Sequence, residues 1–379
     1  MTDGQLAVVG VGSVGSMALW QASQQSSSVV GFEAATPAHP RSAVGGDSRL
    51  FRMTYRGDSD IYPILQEAER LWLRLEEESG QSILNRCGGL SIGEIDGSYI
   101  PALLESIKRT GAPHEIIGHA DMARRYPQHQ LTPNECGILD PRAGFLRTDR
   151  AVLSALEVAQ ANRAEVVKNA QVREITELAD GVRITTDTDS RTFDRVIVSS
   201  GFGSGALLPA SLQQHVQPYR IYLTWWAARD PQAFAPDAFP IFIRITGDRS
   251  LYGAPSVDGV TVKATLDGRG EPTADAATMD RVLTRAEVAE SVETVQEFLP
   301  GLIPDIVRSD AYPDLYTSDG AGLLGRAPGT ERIYCATGFS GVGFKMASAL
   351  GAIAASEVLG NGPLVEGLEF MRPERFATL

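Results

Sequence analysis

Residues 6–33 restrict the possible folds of this chain more than any other stretch. The apolar run Leu6-Ala7-Val8-Val9 leads directly into Gly10-Val11-Gly12-Ser13-Val14-Gly15, a G-x-G-x-x-G turn. Residues 13–24 follow with a helical pattern, and Val29-Val30-Gly31-Phe32-Glu33 reads as the next strand. Glycine allows the tight turn and a close backbone approach, the helix N-terminus favours an anion, and an acid about 20 residues on accepts ribose hydroxyls. Turn, helix, strand and Glu33 occur in the order that a dinucleotide-binding βαβ unit requires.

A second glycine-rich turn lies near the other end. The apolar run 332–336 predicts a buried strand, Gly338-Phe339-Ser340-Gly341-Val342-Gly343-Phe344 a tight turn with bare N–H groups, and 347–359 a small-residue helix, with Lys345 at the rim of the turn. Between the two turns, strands are predicted at 166–168, 172–177, 182–186 and 191–193, then an apolar strand from Arg195 that ends at Ser199-Ser200-Gly201. This strand-rich crossover is the pattern of a flavin-binding Rossmann variant, whereas NAD dehydrogenases continue in βα repeats. It adds Val172, Ser200 and Gly201 to the candidate cofactor contacts.

The rest of the chain divides between two folding units. An amphipathic helix is expected at 59–80, short strands with a helix at 100–110 across 85–135, and another helix at 148–160. Residues 217–310 are β-rich and aromatic (Tyr219, Tyr222, Trp225, Trp226, Phe242, Ile243, Tyr252), interrupted by a helix at 285–298. The expectation is an α/β (α+β) protein: a Rossmann-like cofactor domain of 1–84, 140–216 and 311–379, interleaved with a sheet-rich substrate domain of 85–139 and 217–310. The loop after Glu33 must cross the ligand end of the strands, making Arg49 and Arg52 candidates for cofactor and substrate contact. In Val260-Thr261-Val262-Lys263-Ala264-Thr265, alternation with the valines inward directs Lys263 to solvent.

A net charge of −13 and a pI near 4.9 argue against nucleic acid or an anionic membrane as partner. Three cysteines without a C-x-x-C pair suggest a reducing compartment, and the five histidines have no metal-ligand spacing. With no basic or apolar leader before the first strand, the expected location is the cytoplasm. Gly338-Phe339-Ser340-Gly341 is not a nucleophile elbow, because G-x-S-x-G needs glycine where Val342 stands.

With these residues in view, nearly the whole chain resembles the monomeric sarcosine oxidase and N-methyltryptophan oxidase family of FAD-dependent amine oxidases. The resemblance rests on Gly10 to Gly15, Gly46-Asp47-Ser48-Arg49-Leu50-Phe51-Arg52, Gln217-Pro218-Tyr219-Arg220, Tyr252-Gly253-Ala254-Pro255-Ser256 with Lys263, Leu315-Tyr316-Thr317, and Gly338 to Lys345. It implies an oxidase that takes a hydride equivalent from the carbon beside an amine nitrogen and reduces oxygen to hydrogen peroxide. It further implies that Lys263 lies near the flavin and promotes its reaction with oxygen, which reverses the solvent-facing reading. By the same resemblance Arg52 and Lys345 hold a substrate carboxylate, Arg49 and Ser48 sit beside the flavin, and Tyr252, Tyr316 and Ile243 line the pocket.

Three positions depart from that family. The covalent cysteine falls at Asp314, so FAD is expected without a covalent bond. Histidines fall at Gly45 and Asp267. Gly45 is expected to enlarge the pocket or free the flavin loop. Asp267 would share the face of Lys263 and select a substrate larger than sarcosine, unless it pairs with Arg269. The other partners expected are a small amine or amino acid and molecular oxygen, with the protein a monomer. Two other readings stay open: a flavin dehydrogenase with another acceptor, and a catalytically silent FAD-binding protein.

Overall fold

The computed structural model describes residues 2–57, 59–268, 270–273 and 278–376; Arg269 lies outside the described residues. An eight-stranded sheet carries the order 172–178, 181–186, 190–198, 4–9, 29–32, 165–167, with 333–337 paired to 190–198 and 323–326 paired to 333–337. The expected separate strands at 191–193 and from 195 are one, Ser190–Val198. Its first half pairs antiparallel with 181–186 and its second half parallel with both 4–9 and 333–337. The continuous apolar runs follow from burial on both faces.

Helices Ser13–Ser23 and Gly343–Leu359 pack against each other beside this sheet. A Cβ at Gly351 would lie 2.5 Å from the Ala18 backbone nitrogen, so the small-residue composition of the later helix is what lets the two backbones touch. That helix starts at Gly343 and not at 347, which puts Lys345 inside its first turn. The helix expected at 59–80 is found as Tyr62–Ser79, stopped by Gly80 in a left-handed conformation.

A second eight-stranded sheet has the order 302–317, 216–228, 261–266, 249–254, 241–246, 89–94, 135–140, 115–117. Its strand Leu302–Thr317 runs through residue 310 without a break. On one face Trp226, Phe242, Leu251, Val262 and Ala264 bury against Val295 and Phe298 of the helix Arg285–Phe298. Trp226 and Phe242 therefore belong to this core and not to a substrate wall. A small sheet of 48–51, 144–147 and 84–85 joins the layers.

Lys263 points away from the core face of Val262, but not to solvent. The strand Thr261–Leu266 is central, Val260 lies outside it and is exposed, and Lys263 is only 4% exposed. Its second face is covered by the loop at 46–48, so the hydrophobic pattern could not tell solvent from a buried polar interior.

Candidate active site

Strand pairing brings one face of the second sheet into register. Trp225 lies opposite Lys263 and Lys263 opposite Ala254; Tyr252 pairs with both Thr265 and Ile243. On the long edge pair, Ile221 lies opposite Tyr312 and Tyr219 opposite Asp314. Alternation then puts Ile221, Leu223, Ile243, Tyr252, Tyr312, Asp314 and Tyr316 on this face. All seven line a cavity of about 310 Å³.

The opposite wall is the turn 338–345. Gly338 and Gly341 adopt φ of +71° and +84°, and a Cβ at Gly341 would stand 3.0 Å from the Tyr316 hydroxyl. The Ser340 N–H donates to the Leu315 carbonyl at 3.1 Å and the Thr317 N–H to Ser340 Oγ at 3.1 Å, fastening the turn to the end of strand Leu302–Thr317. Gly338, Phe339, Ser340, Gly341, Gly343, Phe344 and Lys345 all line the cavity, as do Ser13, Val14 and Gly201. Two helix N-termini thus open on the same space.

The remaining predicted cofactor contacts do not line this cavity. Gly10 has φ +85° and a Cβ there would meet Ser200 Cα at 2.4 Å, whereas a Cβ at Gly12 would meet nothing within 4 Å. Gly15 closes onto Gly10, whose carbonyl oxygen would be 1.8 Å from an added Cβ. Glu33 is buried at the end of its strand and accepts N–H groups of Val11 and Ala35, each at 3.2 Å. Val172 shares a core cluster with Val30 and Phe32. The buried Ser48 hydroxyl has no partner among the described residues. Open space at Gly12, an unpartnered hydroxyl and two converging helix N-termini fit a dinucleotide with a planar ring.

The cations have distinct settings. Arg49 lines the cavity and braces the preceding loop, donating to the carbonyls of Ser48, Ala43 and Gly45 at 2.8, 2.7 and 2.8 Å. Arg52 and Lys345 share the ring of Tyr55, with the guanidinium carbon 4.4 Å and the ammonium 5.7 Å from its centre. Arg52 also donates to Tyr99 Oη at 3.4 Å, and Tyr99 donates to Ser91 Oγ at 3.0 Å. The chain after Arg52 is fixed by Asp140, whose Oδ2 accepts the N–H groups of Met53 and Thr54 at 2.6 and 3.0 Å. Burial, then the Arg52 charge, push Lys345 down to about 7. Burial pushes the Asp314 carboxyl up to about 6, against the pull of the Leu315 N–H and Arg49. Lys263 stands behind the lining and donates to the Gly46 and Ser48 carbonyls at 2.6 and 2.7 Å. Burial and Arg49 hold it well below the usual lysine range.

Gly45 does not act as expected. It is not part of the cavity lining, and a Cβ there would collide with the Pro40 carbonyl oxygen at 2.3 Å and the Tyr312 ring at 2.4 Å. The space an imidazole would need is filled by neighbours, so glycine packs the loop and does not widen the pocket. Asp267 does line the cavity, one residue beyond its strand, exposed and within 3.4 Å of Ser250 Oγ. It forms no ion pair with another described residue. Sequence reasoning missed Tyr312 and Tyr55. Period-two spacing from Asp314 could have found Tyr312; nothing local marks Tyr55, because the chain has left its strand at 51.

Residues 5–357 match the family model described as FAD dependent oxidoreductase. Over 354 residues the chain is 27% identical to N-methyl-L-tryptophan oxidase of Yersinia pestis and to that of Yersinia pseudotuberculosis, covering 93% of this chain and 94% of each relative. In fold it is similar to NikD, an unusual amino acid oxidase essential for nikkomycin biosynthesis, with TM-score 0.86, 20% identity and 98% of both chains covered. It is also similar to glycine oxidase from Geobacillus kaustophilus, with TM-score 0.80, 16% identity and 99% of both chains covered.

Proposed function

Because the chain belongs to the FAD dependent oxidoreductase family, we propose that it oxidises the carbon–nitrogen bond of a secondary amine or amino acid, with oxygen as acceptor. The observation that carries this reading is the pair Arg52 and Lys345 around Tyr55, on the wall of the cavity that the glycine turn and the sheet face enclose. Bound FAD supplies the two-electron acceptor and, once reduced, the reductant of oxygen. Its pyrophosphate would be held by Gly10 to Gly15 and the first helix N-terminus, its ribose by Glu33, and its ring by Ser48, Arg49 and the turn 338–345. Arg52 and Lys345 hold the substrate carboxylate by charge-assisted hydrogen bonds. Their charge also disfavours protonation of the neighbouring amine, keeping the reactive neutral form. Tyr252, Tyr316 and Ile243 orient the substrate, and Lys263 serves the oxygen step by stabilising developing negative charge.

The finer assignments follow from the same residues. FAD is held without a covalent bond, since a carboxylate at Asp314 cannot form the thioether made by a cysteine; acid precipitation is expected to release the yellow colour. Asp267 at the rim favours an amino acid larger than sarcosine, carrying a polar or cationic side chain or a ring nitrogen. Residues 1–84, 140–216 and 318–379 are the cofactor domain and 85–139 and 217–317 the substrate domain of a monomeric cytoplasmic enzyme, the last boundary lying after 317 and not after the expected 310 because strand Leu302–Thr317 belongs to the second sheet. No helix among the described residues is long and apolar enough to cross a membrane. The deciding experiment measures peroxide from a panel of N-substituted, cyclic and basic amino acids. Peroxide with none of them, but reduction of a dye, would replace the oxidase by a dehydrogenase. Sarcosine as the best substrate, or Asp267→Asn with unchanged preference, would remove the role of Asp267.

A further inference from the structure

Three side chains lie side by side across the second sheet. Trp225 of strand Val216–Ala228 is in register with Lys263 on one neighbour and Arg308 on the other. The Arg308 guanidinium carbon is 3.7 Å and the Lys263 ammonium 5.3 Å from the Trp225 ring, so the two cations are at most about 9 Å apart. Arg308 is paired with Asp47, and both side chains are largely solvated, 45% and 43% exposed. Trp225 and Lys263 are only 3% and 4% exposed. The Trp225 ring also lies against the loop that accepts the lysine protons, since a Cβ on Gly46 would be 3.6 Å from its Cη2.

We propose that Arg308 and Asp47 form an outer latch, seated on Trp225, that shields Lys263 from water and sets how readily it keeps its proton. They are then positioning residues for the oxygen step, and the inference rests on the assignment of Lys263 made above. The charges that act on Lys263 are Arg49, Asp47 and Arg308. Arg49 and Arg308 make its protonation harder, and Asp47 makes it easier. The buried lysine has two carbonyls and an indole face for company and, among the described residues, no carboxylate in contact, so a surface pair at this range still matters. Across about 9 Å a unit charge shifts a protonation midpoint by roughly 0.3 to 1.4 pH units, depending on screening.

The test compares Arg308→Gln, Asp47→Asn, the double variant and Lys263→Met as FAD-loaded enzymes. Two pH profiles are recorded: the rate at which anaerobically reduced enzyme reacts with oxygen, and the equilibrium affinity of the oxidised enzyme for sulfite, read from flavin bleaching without turnover. Both fall as pH rises through the Lys263 midpoint. The expected result is an upward shift of both midpoints in Arg308→Gln, a downward shift in Asp47→Asn, and a return toward the parent in the double variant. Lys263→Met should abolish both midpoints. Unshifted midpoints, or shifts of the same sign in the two single variants, would overturn the latch while leaving Lys263 in its role. A Lys263→Met enzyme that reacts normally with oxygen would remove the role of Lys263, and the latch with it.

Discussion

Lys345 offers a sharp test of the anion clamp, because its charge is conditional where that of Arg52 is not. Burial and the neighbouring Arg52 bring its midpoint down from 10.5 to about 7 in the free protein. A lowered lysine carries its charge below that midpoint and loses it as pH rises through it. For a substrate with a carboxylate, kcat/KM, which reports the free enzyme, should therefore fall above pH about 7. A bound carboxylate favours the charged ammonium, so the same limb in kcat should lie at higher pH. Removing one member of a desolvated charged contact costs roughly 2–5 kcal/mol, which is about 30-fold or more. Lys345→Met should then lower kcat/KM by at least about 30-fold on the acid side, and the parent-to-variant ratio should shrink steadily on the alkaline side. Taking that ratio cancels the rise caused by deprotonation of the substrate amine. Peroxide release measured against pH, for one substrate and its decarboxylated analogue, supplies the data. A falling limb near neutrality that survives in Lys345→Met would refute the argument, as would an equal loss at every pH or for the analogue.

Other expectations follow from the same geometry. Burial raises Asp314 from 3.8 to about 6, so the stability associated with its protonated form is intact below about 4 and lost as pH climbs to about 6. Asp314→Asn should stabilise the protein at neutral pH by about 1–3 kcal/mol, the lower end reflecting solvent at a half-buried side chain, and by nothing near pH 4; equal gains in urea unfolding at both pH values would contradict this. Lys263→Met should slow reoxidation by orders of magnitude while anaerobic reduction by substrate changes far less, and stopped-flow traces of the two half-reactions separate these outcomes. Arg244 and Glu135 pair with side chains 1% and 0% exposed. Arg244→Met should cost about 3–5 kcal/mol of folding stability by leaving the buried carboxylate without its counter-charge, and adding Glu135→Leu should recover much of it; no recovery in the double variant would mean that packing, not charge, is at stake.

Local sequence determined a good deal of this protein. The turn at Gly10 to Gly15, the strand that ends at Glu33 and the turn at Gly338 to Gly343 were legible because their glycines answer backbone demands that few other residues meet. The helix at 285–298 was read at its full extent, and in the structure a Thr284 and Glu287 capping box fixes its start. Other features depended on which strands become neighbours, and that is a non-local choice. Alternation sent Lys263 to solvent, yet its strand is central and its second face meets the loop at 46–48. Gly45 looked like added room until Pro40 and Tyr312 were seen to occupy it. Tyr55 entered the site only because Asp140, far along the chain, holds the backbone that follows Arg52. A pattern of apolar and polar residues records whether a side chain avoids water. It carries no record of whether a polar side chain faces solvent or a buried cavity, and only the pairing of distant strands decided that for Lys263, Asp314 and Arg308.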